Sequence, residues 1–119
     1  MANPNIVNVS EIYGKTAAAA VTTSATAIVT NSGGSGKIYK INCLIISNID
    51  GTNAADITVD FYRSTTARHI VKTVSVAADS AFTAIDKNIP IYLEEGDAIR
   101  LTASADGDLE AICSYEEIS

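Results

Sequence analysis

The chain has 119 residues, 47% of them hydrophobic and only 18% charged, with one His, no Trp and a formal net charge of -6. That length fits a single domain over residues 1–119, and His69 alone rules out a multi-His metal centre. Lysines and arginines occur singly along an acidic chain, which argues against nucleic-acid partners and against anionic membranes, since both need clustered cations.

From the N-terminus, Ile6 to Ile12 reads as a first strand. Residues 1–21 as a whole fit either such a strand or an arm that docks on a neighbour. The opening Met1-Ala2-Asn3-Pro4-Asn5 lacks the basic start and continuous apolar stretch of a signal peptide, so synthesis in a cytoplasm without export is the expectation. Ala17 to Ala20 with Val21 is the longest purely apolar run outside the strands and is far too short to span a bilayer. The alanines favour helix, but Val21, Thr22 and Thr23 follow without a cap, so one turn is the most they support. Ala25 to Thr30 reads as a second strand. The glycines of Asn31 to Gly36 do not make a phosphate cradle, which needs a helix after it; here Lys37 opens another strand.

Lys37 to Ile46 alternates with Tyr39, Ile41, Cys43 and Ile45 directed inward. Ile38, Leu44 and Ile46 then face outward and are candidate contact residues for another chain. The run is apolar on both sides near its end, so a second buried sheet face or the sandwich interior is the reading of the same three residues that the pattern favours. Asp50 to Asn53 carries turn residues. Asp56 to Arg63 alternates strictly, with Ile57, Val59 and Phe61 on one face and Thr58, Asp60 and Tyr62 on the other. His69 to Val76 puts Ile70, Val74 and Val76 on one parity, with Lys72 the misfit. Ile89, Ile91 and Leu93 share a face, and Pro90 among them signals an edge strand or a strand start. Ile99, Leu101 and Ala103, then Leu109, Ala111, Cys113 and Tyr115, complete the inward set. The turns Glu95-Gly96-Asp97 and Asp106-Gly107-Asp108 suggest a β-meander in the C-terminal third. The predicted fold class is all-β, an antiparallel β-sandwich of jelly-roll type with about eight strands.

Catalytic signals are sparse. His69 begins a strand beside Arg68, with no Gly-x-Ser-x-Gly elbow anywhere, and reads as a solvent-facing side chain. Cys43 and Cys113 sit in apolar runs, which raise a thiol pKa; they read as packed thiols, with an inter-strand disulfide as the alternative. Glu94-Glu95, Asp106 with Asp108, and Glu116-Glu117 read as acids solvating turns, and none completes a calcium loop. No catalytic residue, metal ligand or cofactor is therefore expected.

Two segments resemble small virion structural proteins of tailed phages, most of all those of marine phages infecting cyanobacteria. They are Asn5-Ile6-Val7-Asn8-Val9-Ser10-Glu11-Ile12-Tyr13-Gly14-Lys15-Thr16 and the stretch from Pro90 to Ser119 with its Leu93-Glu94-Glu95-Gly96-Asp97 turn, about a third of the chain together. The resemblance implies a particle component, head decoration or tail and neck protein, with no catalytic residues to carry over. Its partners would be copies of itself, a trimer being one form, and other virion proteins. A carbohydrate- or receptor-binding module of a phage fibre is the alternative, and an enzyme built on a jelly roll comes last.

Overall fold

The computed structural model describes residues 3–119, so Met1 and Ala2, the start of the expected 1–21 segment, lie outside the described residues. Nine strands follow: β1 (Ile12–Ala20), β2 (Thr26–Thr30), β3 (Ile38–Asn48), β4 (Ala55–Arg63), β5 (Thr66–Val76), β6 (Ala81–Ile85), β7 (Ile91–Leu93), β8 (Ala98–Ala103) and β9 (Leu109–Ile118). One antiparallel sheet runs β1-β9-β3-β6, with β7 also on β3; the other runs β2-β8-β4-β5. β6 pairs with Leu44 to Ser47 and β7 with Tyr39 to Ile41, successive stretches of one strand. Counted as a single interrupted strand, they leave eight strands in two four-stranded sheets, the jelly-roll arrangement.

The interruption has a local cause. Asp86 folds the chain into a turn, its carboxylate accepting the Asn88 N–H at 2.8 Å and its carbonyl the Ile89 N–H at 3.1 Å. Pro90 then has no N–H to give a ladder. Ile89 is consequently 61% exposed, in the loop rather than on the face it was expected to share with Ile91 and Leu93. The β6 strand itself, Ala-Phe-Thr-Ala-Ile, escaped the sequence pattern because its apolar residues fall on both parities.

The core lies between the sheets, where Ile41, Leu44, Ile46, Ile57, Val59, Leu93, Ile99, Leu109 and Cys113 are fully enclosed. Each such aliphatic side chain stabilises the fold by roughly 1.5–3 kcal/mol relative to exposure. β8 and β9 follow the expected alternation. β3 does not. Its pairing with β9 slips between Ile41 and Cys43, and that β-bulge reverses the facing of every later residue. Leu44 and Ile46 turn into the core at 0% exposure, while Cys43 and Ile45 turn outward. Ile38 is 8% exposed, buried beside Ile118, its register partner. Leu44 and Ile46 are thus interior residues, and Ile38 is buried outside the core between the sheets, so none of the three candidate contact residues offers a surface to another chain.

Three further expectations are corrected. Ile6 to Ile12 is not a strand: Ile6 and Val7 occupy an exposed turn, and the first strand begins at Ile12. That strand takes in the whole alanine run, because nine successive pairs with β9 outweigh alanine's weak preference for helix. The C-terminal third is not a meander either, since β8 and β9 belong to different sheets. A glycine turn between two alternating runs reads the same in sequence whether the chain returns to its neighbour or arches across the sandwich. Among the described residues only β4 and β5 form a tight hairpin, closing at Arg63 and Thr66 around Ser64 and Thr65.

Candidate interaction surface

Most charged groups near loops already have partners within the fold. At one end of the sandwich the Arg63 guanidinium donates to both oxygens of the enclosed Asp97 carboxylate, at 2.7 and 2.6 Å, and to Glu94 at 2.7 Å. Asp97 also accepts the Glu94 N–H at 2.8 Å. The hydrogen bond to Asp97 holds the Arg63 pKa above its ordinary value, and hydrogen bonds from Asn3 and Arg63 hold the Glu94 carboxyl below its own. Beside them, the fully buried Asn31 amide donates to the Lys37 and Leu93 carbonyls, both at 2.9 Å, and its oxygen accepts Ser35 Oγ at 2.6 Å. Asn48 does the same at another corner, donating to the Asn53 and Val76 carbonyls and accepting the Asp50 N–H. Every buried side-chain nitrogen and oxygen among the described residues has a partner.

The acids of the turns work as acceptors for backbone N–H groups. Asp50 takes those of Thr52 and Asn53, Asp106 that of Thr23, and Glu95 that of Gly36. Hydrogen bonds to the charged form lower a carboxyl pKa, as they do at Asp50. Gly36 and Gly96 meet this end with φ of 68° and 90°, in the left-handed region that glycine enters without steric cost. Glu117, on β9, bridges Lys15 of β1 at 3.0 Å and Lys37 at 3.1 Å. Burial pushes its carboxyl up, but the two lysines together outweigh burial and hold it below its ordinary value. Tyr39 and Tyr115 stack alongside with centroids 5.5 Å apart.

His69 faces solvent on β5, as the sequence suggests, and it also has a partner. Its Nδ1 is hydrogen-bonded to Asp60, the register partner across β4 and β5. Sequence reasoning separated the two by nine positions, and only strand register joins them. Cys43 and Cys113 are both free thiols. Leu44, not Cys43, is the register partner of Cys113, so the thiols point to opposite faces; burial pushes Cys113 up to about 12.

The sheet edges then decide where another chain can add. β2 is five residues long and slips register between Ala27 and Val29. β5 slips twice against β4, carries Arg68 and Lys72, and has Thr73 at φ 60°. The β6 and β7 edge is broken at Asp86 to Pro90. These are the usual devices that blunt an edge: short strands, charges, bulges and Pro. β1 runs nine residues with no bulge and no Pro, and its one charge, Lys15, is paired with Glu117 of the neighbouring β9.

The unpaired groups of β1 can be assigned. Glu11 and Ser119 exchange both backbone hydrogen bonds at 2.9 Å, which makes them a hydrogen-bonded pair of the antiparallel ladder. Such pairs alternate, so Tyr13, Lys15, Ala17 and Ala19 address β9, and Ile12, Gly14, Thr16, Ala18 and Ala20 direct their N–H and C=O away from it. The side chains on those outward-bonding positions are mostly small. They lie on the outer face of the sheet, where Ala18 and Ala20 join Ile112, itself 48% exposed, in a shallow depression that Ser47 and Glu110 also line. Among the described residues β1 is exposed at every position but one, and Asn3, before it, donates to Glu94, after β7 on the far side of the sheet.

No family model and no curated protein sequence matches the chain. Among solved structures, a chain described by the words "Bacillus endospore appendages form a novel family of disulfide-linked pili" is similar. The two share a TM-score of 0.52 at 18% identity, over 91% of this chain and 88% of that one. At that identity the likeness is one of fold.

Proposed function

We propose that the chain is a non-enzymatic structural subunit of a tailed-phage virion, a head-decorating or tail and neck protein that works by packing against copies of itself and other virion proteins. The observation that carries a packing role is the long, regular, unpaired β1 edge beside the exposed side chains of Ala18, Ala20 and Ile112. A free edge of that kind is a template for another strand, and natural sheets blunt such edges unless something adds to them. The resemblance of Asn5 to Thr16 and Pro90 to Ser119 to small phage virion proteins supports the particle, and jelly rolls recur in capsid domains. A fold shared with a chain from pili supports a subunit that assembles in many copies. On this reading the protein is made in the host cytoplasm and ends in the virion.

A receptor- or carbohydrate-binding module of a phage fibre is the second reading. It draws on the outer face of the other sheet, where the Arg100 guanidinium lies 4.2 Å over the ring of the half-buried Tyr62 and sets a fork of N–H donors beside an aromatic side chain. Immunogold labelling of intact purified particles, with electron microscopy, tests the first reading: label at a fixed position on head, neck or tail is the expected result. Particles that carry no label, from lysates in which the free protein is abundant, would overturn it. Label confined to fibre tips, with binding to a glycan array, would favour the second.

A further inference from the structure

We propose that the partner of the β1 edge is β1 of a second copy of this chain, added antiparallel about a two-fold axis at Thr16. The inference rests on the packing role proposed above and names its contact. Among the described residues, no other edge matches β1 in length and regularity. β2 offers five residues and a slip, β6 and β7 offer five and three with a break between them, and β5 is bulged at Thr73. A second β1 offers nine residues in unbroken register.

Symmetry and the ladder fix the pairing. The five outward-bonding residues, Ile12, Gly14, Thr16, Ala18 and Ala20, are centred on Thr16. A two-fold axis there sets Thr16 opposite Thr16 of the second copy, Gly14 opposite Ala18, and Ile12 opposite Ala20. Every unpaired N–H and C=O on the edge then meets a complement. A Thr–Thr pair is among the favourable cross-strand pairs, and the small side chains flanking it leave the approach open. Lys15 falls opposite Ala17, so no like charges face each other directly, and each Lys15 is already neutralised by Glu117 of its own chain at 3.0 Å. The result is one sheet continuous through two sandwiches. It makes dimers, or assemblies built of dimers, and not a lone trimer.

Two variants test it, with mass measured by size-exclusion chromatography and light scattering. Thr16→Pro removes an N–H that points away from β9, a position where an edge strand tolerates proline. The variant should stay folded by circular dichroism and lose the dimer that the unaltered chain forms. Independently, in a Cys43→Ser background, Thr16→Cys should cross-link to itself under mild oxidation. Hydrogen-bonded partners have Cα atoms about 5.5 Å apart, inside the range a disulfide spans. Gly14→Cys should not cross-link to itself but should do so when mixed with Ala18→Cys. An oligomer that persists in Thr16→Pro and gives no Thr16→Cys dimer overturns the β1 contact while leaving a packing role by another surface. A trimer as the sole species does the same. An unaltered chain that stays monomeric at high concentration overturns both.

Discussion

Two long strands lie at sheet edges in this molecule, and they are built by opposite rules. β5, eleven residues long, carries Arg68, His69 and Lys72, slips register twice and holds Thr73 at φ 60°. β1, nine residues long, keeps perfect register with β9 and consists of small and uncharged residues apart from Ile12, Tyr13 and Lys15. The fold does not require this difference, since both strands pair on one side only. Edge protection is a device of local sequence, and its presence on β5 makes its absence on β1 informative. One edge is closed to addition; the other is open.

The strongest challenge to that contrast removes the core from which both edges hang. Leu44→Ala or Ile46→Ala should cost about 2–5 kcal/mol in denaturant unfolding, the range for deleting a fully buried aliphatic side chain. A loss of assembly with unchanged stability would instead return these residues to the surface role the alternation first suggested. Asp97→Ala comes next, at about 2–3 kcal/mol, since it strips the Arg63 fork and an N–H of their acceptor. Arg63 is half-exposed, so water recovers part of the loss. Amide exchange should quicken at the β4–β5 turn and remain slow along β9 where it meets β1.

Ser64→Asn with Thr65→Gly should work in the other direction. Both residues have positive φ, 51° and 62°, in a two-residue hairpin that favours Asn-Gly. A gain of about 1 kcal/mol, read as a rise in the denaturation midpoint, is expected. The protected edge would become firmer and the open one would be unchanged. The smallest effect concerns pH. The folded Glu117 carboxyl sits below its ordinary value of 4.5, so its contribution is present above that value and is lost as pH falls through the folded pKa. Thermal unfolding of Glu117→Gln should therefore lose its difference from the parent as pH falls below about 4.5, with β1 loosening first because Lys15 loses its partner. A difference that stays constant down to strongly acid pH would show that the bridge does not hold the edge.

Much of the sandwich was legible from alternation alone. Ile57, Val59, Ile99, Leu101, Leu109, Ala111 and Cys113 face the core as their parity requires. The failures of alternation within β3 and β5 have a common origin in places where one residue is added to a ladder. The bulge at Asn42 inverts the second half of β3 and carries Leu44 and Ile46 inward. The misfit at Lys72 marks another: Val71 and Val74 stand against Val59 and Ile57, with Lys72 and Thr73 displaced between them. A misfit in an otherwise strict alternation is thus a readable sign of a bulge. Asn42 carried no such sign, because apolar residues lie on both sides of it.

What the sequence by itself determined is the class of structure and the inward faces of its regular strands. Side-chain alternation is a property of each strand alone, and burial of the apolar side follows from water. Of the acids that the sequence placed at turns, Asp50 and Asp106 accept backbone N–H groups there, whereas Glu116 and Glu117 lie in β9 and Glu117 bridges two lysines. Only the tertiary structure decided which strands are neighbours, and therefore which edge is free. Pairing depends on groups far apart in the chain, and backbone N–H and C=O groups are alike at every residue. No pattern of side chains distinguishes the alanines of β1 as an open edge until β9 is seen on one side of them and, among the described residues, no strand on the other.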